Sequence, residues 1–346
     1  MKTQLKIQPS NTTQPPIDLN SNTAFPLLIS IVNYRSADFT IECLRSLESE
    51  VKSLPGTRVV VVENASGDDS AQRIQTAIDR FGWGNWASLQ VSQRNGGFAY
   101  GNNLAIRQAL HSKHPPDYFL ILNPDSIVRP GAITALLEFM TRNPNAGIAG
   151  TGLESPSGEP WHITFRFPNI LSELDGGLRL GIVSKLLSPW AVVRQVSAEP
   201  CQTDWVSGAC FAVRRQVFEL VGLMDEGYFL FYEETDLCLR AKRAGCSCWY
   251  VPQSLVRHIG GQSTGYTYDD DAPPKRFPAY RLQSRRRYFV ENYGWLYAAT
   301  ADALWIAGFS LWRVRRAIQR KPDTDPPHFL TDFIRHSALF NPFSLT

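Results

Sequence analysis

The 346-residue chain lacks several features that often announce a function. Its six cysteines (Cys43, Cys201, Cys210, Cys238, Cys246 and Cys248) include no C-x-x-C pair, which argues against a zinc site. No G-x-G-x-x-G occurs, so a dinucleotide-binding fold is a poor match. Net charge is only +3, and no dense basic run interleaves with aromatics before residue 270, so no nucleic-acid partner is expected. Residues 1–25 are polar, without the apolar core of a secretory signal. They are expected to form a disordered tail, and the cysteines to be reduced thiols of a cytoplasmic protein. Charged residues make up 19% of the chain and hydrophobic residues 43%, enough apolar material for one large α/β domain with an appendage.

What is present is an alternation of strand and helix patterns. Leu27–Val32, Arg58–Val62, Leu89–Ser92 and Tyr118–Leu122 are short apolar runs that read as buried strands. Helical spacing follows the first three, over Ala37–Val51, Ala71–Phe81 and a segment ending near His111. Such alternation implies right-handed βαβ units and a mostly parallel central sheet flanked by helices. Four polar loops then leave the strand ends on one edge, where open α/β sheets bind ligands. They begin at Asn33, Glu63, Arg94 and Asn123. Glu63 and Asn64 are suited to bond a base or ribose hydroxyl. Gly96 and Gly97 permit close approach of backbone to ligand, and the helix after them points its N-terminus at an anion. Pro124 ends the fourth strand, and the Asp125 carboxylate just beyond it suits a divalent cation carrying phosphate oxygens. Turn chemistry explains each loop taken singly; four on one edge favour a nucleotide site.

The second half begins with a strand-like Ile148–Gly150. A mixed stretch over Gly152–Glu199 follows, with a helix expected near Leu171–Leu187. Ala209–Val213 reads as a second core strand, followed by a helix over Arg215–Val221. Glu233, Glu234 and Asp236 then follow an aromatic run, Tyr228-Phe229-Leu230-Phe231-Tyr232. A helix dipole favours acids at its N-terminus, but does not call for three of them beside so many aromatics. An aromatic wall binds a sugar face, or raises a carboxylate's pKa by desolvation as a general base requires. Cys248–Val251 reads as a final strand, and its exit carries His258, unremarkable on its own.

Seven segments in this order, NYRS, VVENASGDDS, RNGGFAYGNN, LNPDS, DWVSGACFAVRR, MDEGYFLFYEETDLCLRAKRAG and RHIGGQST, resemble the family 2 glycosyltransferases of GT-A fold, specifically their rhamnosyltransferase-like bacterial branch. The match runs from Leu27 to about Thr264. The resemblance implies an inverting transferase with a nucleotide-sugar donor, dTDP-rhamnose by branch, and Mg²⁺ or Mn²⁺. It places Asn123 and Asp125 in the family's D-x-D motif and makes His258 a metal ligand beside Asp125. The donor site is expected to comprise Asn33, Glu63, Asn64, Arg94, Asn95, Gly96, Gly97, Asn102, Asn123 and Asp125. The acceptor, a glycan or polyprenol-linked sugar, is expected to meet Trp205, Ser207, Gly208 and Glu233. Glu63 stands where the family usually has Asp. Glu234 stands where the family has the Asp that acts as general base, so Glu234 is the expected base and Asp236 the alternative. A nucleotidyltransferase and a non-catalytic glycan-binding module are the rival readings.

These readings divide the chain into the tail (1–25), a transferase domain (26–265, donor half 26–130 and acceptor half 131–265) and a C-terminal helical extension (266–346). Tyr266–Lys275 reads as a linker. Trp295–Trp312 is largely apolar and ends in arginines, but it carries Asp302 and falls short of the roughly 20 apolar residues a bilayer span needs. Two readings stay open: an amphipathic helix on the inner face of the cell membrane, and a helix packed on the catalytic domain.

Overall fold

A computed structural model describes residues 26–341, apart from 156, 162, 197 and 262–273. The expected tail and most of the expected linker therefore lie outside the described residues.

The chain opens with strand β1 (Leu27–Asn33), helices α1 (Ala37–Ser46) and α2 (Glu48–Ser53), then β2 (Arg58–Glu63), α3 (Ser70–Arg80), β3 (Ala87–Val91), α4 (Gly97–Leu110) and β4 (Tyr118–Leu122). These four strands pair in parallel, in the order β3-β2-β1-β4. The strand period of two divides their side chains between the faces. Leu27, Ile29 and Ile31 enter one buried cluster, Leu28 and Val32 the other. With both faces covered, the strands read as continuous apolar runs. All four carboxyl ends fall on one edge, which puts the four polar loops side by side.

The second half is short β5 (Ser126–Val128), α5 (Ala132–Arg142), β6 (Ala146–Glu154), β7 (Pro160–Trp161), β8 (Ile163–Phe165), α6 (Ile170–Leu178), α7 (Gly181–Leu186), β9 (Val193–Gln195), β10 (Cys201–Thr203), β11 (Cys210–Arg214), α8 (Arg215–Val221), α9 (Glu233–Arg243) and β12 (Ser247–His258). Here the sheet is mixed. β11 lies antiparallel between β4 and β6, β12 pairs in parallel with β6, and β10 and β5 pair antiparallel with β12. Parallel pairing is therefore concentrated in the first half. An apolar run reveals burial but not direction, so the reversal of β11 is not visible in its sequence. That reversal is useful: the start of β11 sits at the finishing end of β4, with Cys210 opposite Leu122.

The expected helix over Leu171–Leu187 is two helices. The chain breaks at Arg179, which takes φ +47°, a left-handed value that ends α6.

Three helices complete the chain: α10 (Ala279–Tyr293), α11 (Trp295–Ile318) and α12 (Phe329–His336). α11 packs closely on α6. A Cβ on Gly177 would meet the Trp305 carbonyl, and one on Gly308 would meet the Leu178 backbone nitrogen. Trp305 stacks on Phe309 and Phe333. Asp302, the acid that argued against a membrane span, is buried and ion-paired to Arg285, which also binds Glu173 of α6. No helix among the described residues is long and apolar enough to cross a membrane. The last turns of α11 nevertheless leave Leu311, Val314 and Ile318 exposed, and α7 leaves Ile182 and Leu186 exposed, each more than half accessible.

Candidate active site

The first two loops are joined by buried polar contacts. Asn33, fully buried at the end of β1, accepts hydrogen bonds from Ser36 Oγ (3.1 Å) and Thr40 Oγ1 (2.8 Å) and donates to Ser66 Oγ (3.4 Å). Glu63, at the end of β2, accepts the Ser66 backbone N–H at 2.8 Å. Asn33 thus spends its side chain holding loop to loop. Ser66, inside the VVENASGDDS segment, and Thr40 serve in the same network.

The third loop is tied to the second through Asn64, whose Nδ2 donates to Asn95 Oδ1 (3.0 Å) and to the Gly97 carbonyl (3.1 Å). Arg94 is exposed, its guanidinium 4.7 Å from the Tyr100 ring centroid. Gly97 takes φ +88°, and a Cβ there would overlap the carbonyl oxygen of Phe229. Its glycine is required by protein packing, whereas the sequence suggested close approach to a ligand. A Cβ on Gly96 would meet the Tyr100 side chain first. Asn102 is buried and donates to the Phe98 carbonyl at 3.0 Å. Its neighbour Asn103 holds Met224 and Glu226, so α4 also anchors the segment that leads to α9.

The fourth loop and the exit of β12 converge. Antiparallel pairing of β5 with β12 sets His258 opposite Ser126. His258 Nε2 lies 3.2 Å from Asp125 Oδ1 and 3.3 Å from Asn123 Nδ2, and the Ile259 N–H donates to the Asp125 carbonyl at 3.1 Å. Asp125 is buried, 5% exposed. Among the described residues no cluster of three or more His, Cys, Asp or Glu could hold a metal, and Asp125 with His258 offers two donor side chains. One carboxylate and one imidazole fit a divalent cation that takes its remaining ligands from phosphate oxygens and water.

β11 links this edge to the acids of α9. The Asn123 N–H donates to the Ala209 carbonyl at 2.9 Å. Gly208, one residue before, lies against Glu234: a Cβ there would sit 3.6 Å from Oε1. Ser207 Oγ accepts the Ala209 N–H at 3.3 Å. Trp205 stacks on Phe165 with centroids 4.1 Å apart and donates its Nε1–H to the Arg166 carbonyl. Phe231 and Tyr232, just before α9, take φ +72° and +71°. Two consecutive aromatics in left-handed space are uncommon and strained, a condition that clusters at functional sites.

The three acids differ in environment. Asp236 is fully engaged, accepting from Arg240 Nε (2.7 Å), Asn292 Nδ2 (2.8 Å) and Tyr228 OH (3.4 Å). It ties α9 to α10 through Asn292. Glu233 and Glu234 each have a buried carboxylate oxygen, Oε2, without a hydrogen-bond partner. Burial pushes the Glu234 carboxyl up to about 7, although N–H groups of Glu234, Thr235 and Gly208 pull it down. Burial, and then the Glu234 charge, pushes Glu233 well above the usual carboxylate range. Asn64 Oδ1 and Asn102 Oδ1 are likewise buried without partners. Unpaired buried acceptors are rare and call for an explanation, of which a bound ligand is one.

A family model described as "Glycosyltransferase like family 2" matches residues 26–289. The chain belongs to glycosyltransferase family 2. An N-acetylglucosaminyl-diphospho-decaprenol L-rhamnosyltransferase of Mycobacterium tuberculosis is 35% identical over 154 residues, 43% of this chain and 49% of that protein. The rhamnosyltransferase WbbL of Escherichia coli K12 is 29% identical over 166 residues, 47% of this chain and 60% of that protein. The chain thus spans about half the length of the curated relatives it matches. Among solved structures, the Pyrobaculum calidifontis mannosyltransferase in complex with GDP-Man and Mn²⁺ superposes with a TM-score of 0.54 at 14% identity, over 96% of this chain and 91% of that one. GalNAc-T7 with UDP, GalNAc and Mn²⁺ gives 0.55 at 14% identity, over 93% and 59%. The fold of this family 2 chain is that of the GT-A glycosyltransferases.

Proposed function

We propose that this family 2 chain is an inverting transferase of cell-surface polysaccharide synthesis. It moves a sugar, rhamnose by its relatives, from a nucleoside-diphosphate donor such as dTDP-rhamnose to a hydroxyl of a glycan or lipid-linked acceptor. The observation that carries the reading is Glu234: a carboxylate with an unpaired oxygen and a pKa pushed up to about 7, set against Gly208, whose neighbour Ala209 accepts the backbone N–H of Asn123.

In this reading Glu63, Asn64, Arg94, Asn95 and Asn102 surround the donor, and Asn33 and Gly97 hold their loops in place. Asp125 and His258 would hold Mg²⁺ or Mn²⁺, with Asn123 beside them. When bound, the cation neutralises charge that develops on the leaving diphosphate. Trp205, Ser207 and Gly208 border the acceptor. Glu234 accepts the proton of the attacking hydroxyl, for which a pKa near working pH is the favourable value. Glu233, buried beside Glu234, has its carboxyl pushed well above the usual carboxylate range by burial and then by the Glu234 charge. Attack opposite the leaving group inverts the anomeric centre and requires no covalent intermediate.

The exposed apolar residues of α7 and the end of α11, with Lys185, Arg320 and Lys321 also exposed, form a surface for weak contact with the inner face of the cell membrane. The function is tested by incubating the chain with Mn²⁺ and a panel of dTDP-, UDP- and GDP-sugars, reading thermal shift and then product configuration by NMR. Stabilisation by one donor and a product of inverted configuration support the proposal. Indifference to every donor, or retention of configuration, overturns it.

A further inference from the structure

Helix α10 is fitted along the chain segment that leads to Glu234. From its last turn back to its first, Asn292 donates to Asp236, Arg287 Nε donates to Asp225 at 2.8 Å, and Ser284 Oγ donates to the Leu230 carbonyl at 2.9 Å. The Tyr280 ring then lies 5.2 Å from that of Phe229 and 6.3 Å from that of Phe231, centroid to centroid. The first turn of α10 therefore borders the junction at which the Phe229 carbonyl meets Gly97 and the Phe98 N–H of the donor-side loop.

Arg281 stands in that first turn and is half-buried. Its guanidinium carbon lies 5.1 Å from the Phe231 ring centroid and 4.3 Å from that of Phe277. Other arginines of α10 are offset by carboxylates: Arg285 by Glu173 and Asp302, Arg287 by Asp225. Arg281 has no carboxylate partner, and no acceptor for its side-chain N–H groups, among the described residues. Aromatic faces hold an arginine by its flat side and leave its edge, which carries the donors, for another partner.

Two observations tie this cation to the catalytic edge. Phe231 stands three residues before Glu234, so their Cα atoms are at most roughly 11 Å apart. Burial raises the hydroxyl pKa of Tyr232, which lies between them in sequence; among the charges that also act on it are both Arg281, which lowers it, and Glu234, which raises it. The arginine fork matches phosphate oxygens, and a phosphorylated sugar reacting at Glu234 brings phosphate to this edge.

We infer that Arg281 is a diphosphate-binding residue of the transfer site. The inference rests on the function proposed above and adds to it a residue of the C-terminal helices, beyond the 26–265 span expected for the transferase domain. The diphosphate is the donor's own or one carried by a lipid-linked acceptor, and both present the same oxygens to the guanidinium.

The test uses the full chain with Mn²⁺ in titration calorimetry against two probes, dTDP and farnesyl diphosphate in detergent, at low and moderate salt. Arg281→Met keeps an unbranched side chain and removes its charge. It should weaken at least one probe about tenfold or more, the scale of a charge-assisted hydrogen-bond pair. Affinity for that probe should also fall less steeply with salt than in wild type, because one charge fewer is screened. Loss for dTDP assigns the guanidinium to the donor, and loss for farnesyl diphosphate assigns it to the acceptor. Arg281→Gln carries the same expectation if Arg281→Met does not fold. Wild-type affinity for both probes in the variant overturns the inference. So does a loss of affinity with the salt dependence of wild type, which would mark Arg281 as a packing residue only. Failure of wild type to bind either probe strikes the proposed function, and this inference with it.

Discussion

Phe98 donates its backbone N–H to the carbonyl oxygen of Phe229 at 2.8 Å, and that oxygen fills the space a side chain on Gly97 would need. The glycine-rich loop of the donor half is thereby fastened to the aromatic segment that ends at Glu233 and Glu234.

Gly97→Ala should therefore damage catalysis as well as folding. The added methyl must displace Phe229, on top of a backbone strain of about 1 kcal/mol for φ +88°. Gly67→Ala separates the two effects, since Gly67 has φ +72° with nothing within 4 Å. Both variants should lose a few degrees of Tm, and only Gly97→Ala should lower kcat by tenfold or more beyond that, about 1.4 kcal/mol or more in activation free energy. Equal kcat losses would show that strain, not the Phe229 contact, matters.

Asp236→Asn should be a stability variant. It weakens a buried contact to Arg240 and leaves that cation short of its carboxylate, at a cost on the order of 3 kcal/mol. Urea unfolding should show a lower midpoint, while kcat measured well below that midpoint falls less than in Glu234→Gln. A larger kcat loss in Asp236→Asn than in Glu234→Gln would transfer the base role to Asp236.

Metal dependence follows from the Asp125–His258 pair. Asp125→Ala and His258→Ala should each abolish the Mn²⁺-dependent part of donor binding, with the far-UV spectrum unchanged because both side chains sit at the sheet's edge. Full turnover in EDTA would contradict the assignment.

Membrane contact through α7 and α11 predicts co-sedimentation with anionic vesicles that weakens with salt. Ile182→Asp with Ile318→Asp should remove it, since both side chains are more than three-quarters exposed and contribute little to the core. Undiminished sedimentation of this double variant would place the contact elsewhere.

The sequence made the donor half legible because buried parallel strands write themselves as apolar runs and their exits as polar loops. Leu27–Val32 and the loop at Asn33 are one example; Asp125, just past Pro124, is another. Pairing across distance was not legible. That His258 reaches Asp125 depends on antiparallel pairing of β5 with β12; only family resemblance suggested it. The tie between Asp236 and Asn292 spans 56 positions and leaves no local pattern. Asp302 counts against membrane spanning, but its ion pair is not legible: its partner Arg285 lies in the preceding helix, and Glu173, which shares that arginine, far upstream.

The account turns on Glu234 acting as the base, and its pH dependence tests that most directly. Burial raises this carboxyl in the folded protein, so it is protonated and inactive at pH 5 and ionised above about 7. By linkage the same shift makes the fold lose stability as pH rises from the ordinary carboxylate range through about 7. The measurement is single-turnover transfer with Mn²⁺ and saturating donor from pH 5 to 9, in wild type and Glu234→Gln. Wild-type rate should climb through an apparent pKa near 7 and level off. Glu234→Gln should be slower by about 10²–10⁴-fold, without that climb, and bind donor as wild type does. A Glu234→Gln enzyme that keeps the wild-type rate and pH profile would contradict the account.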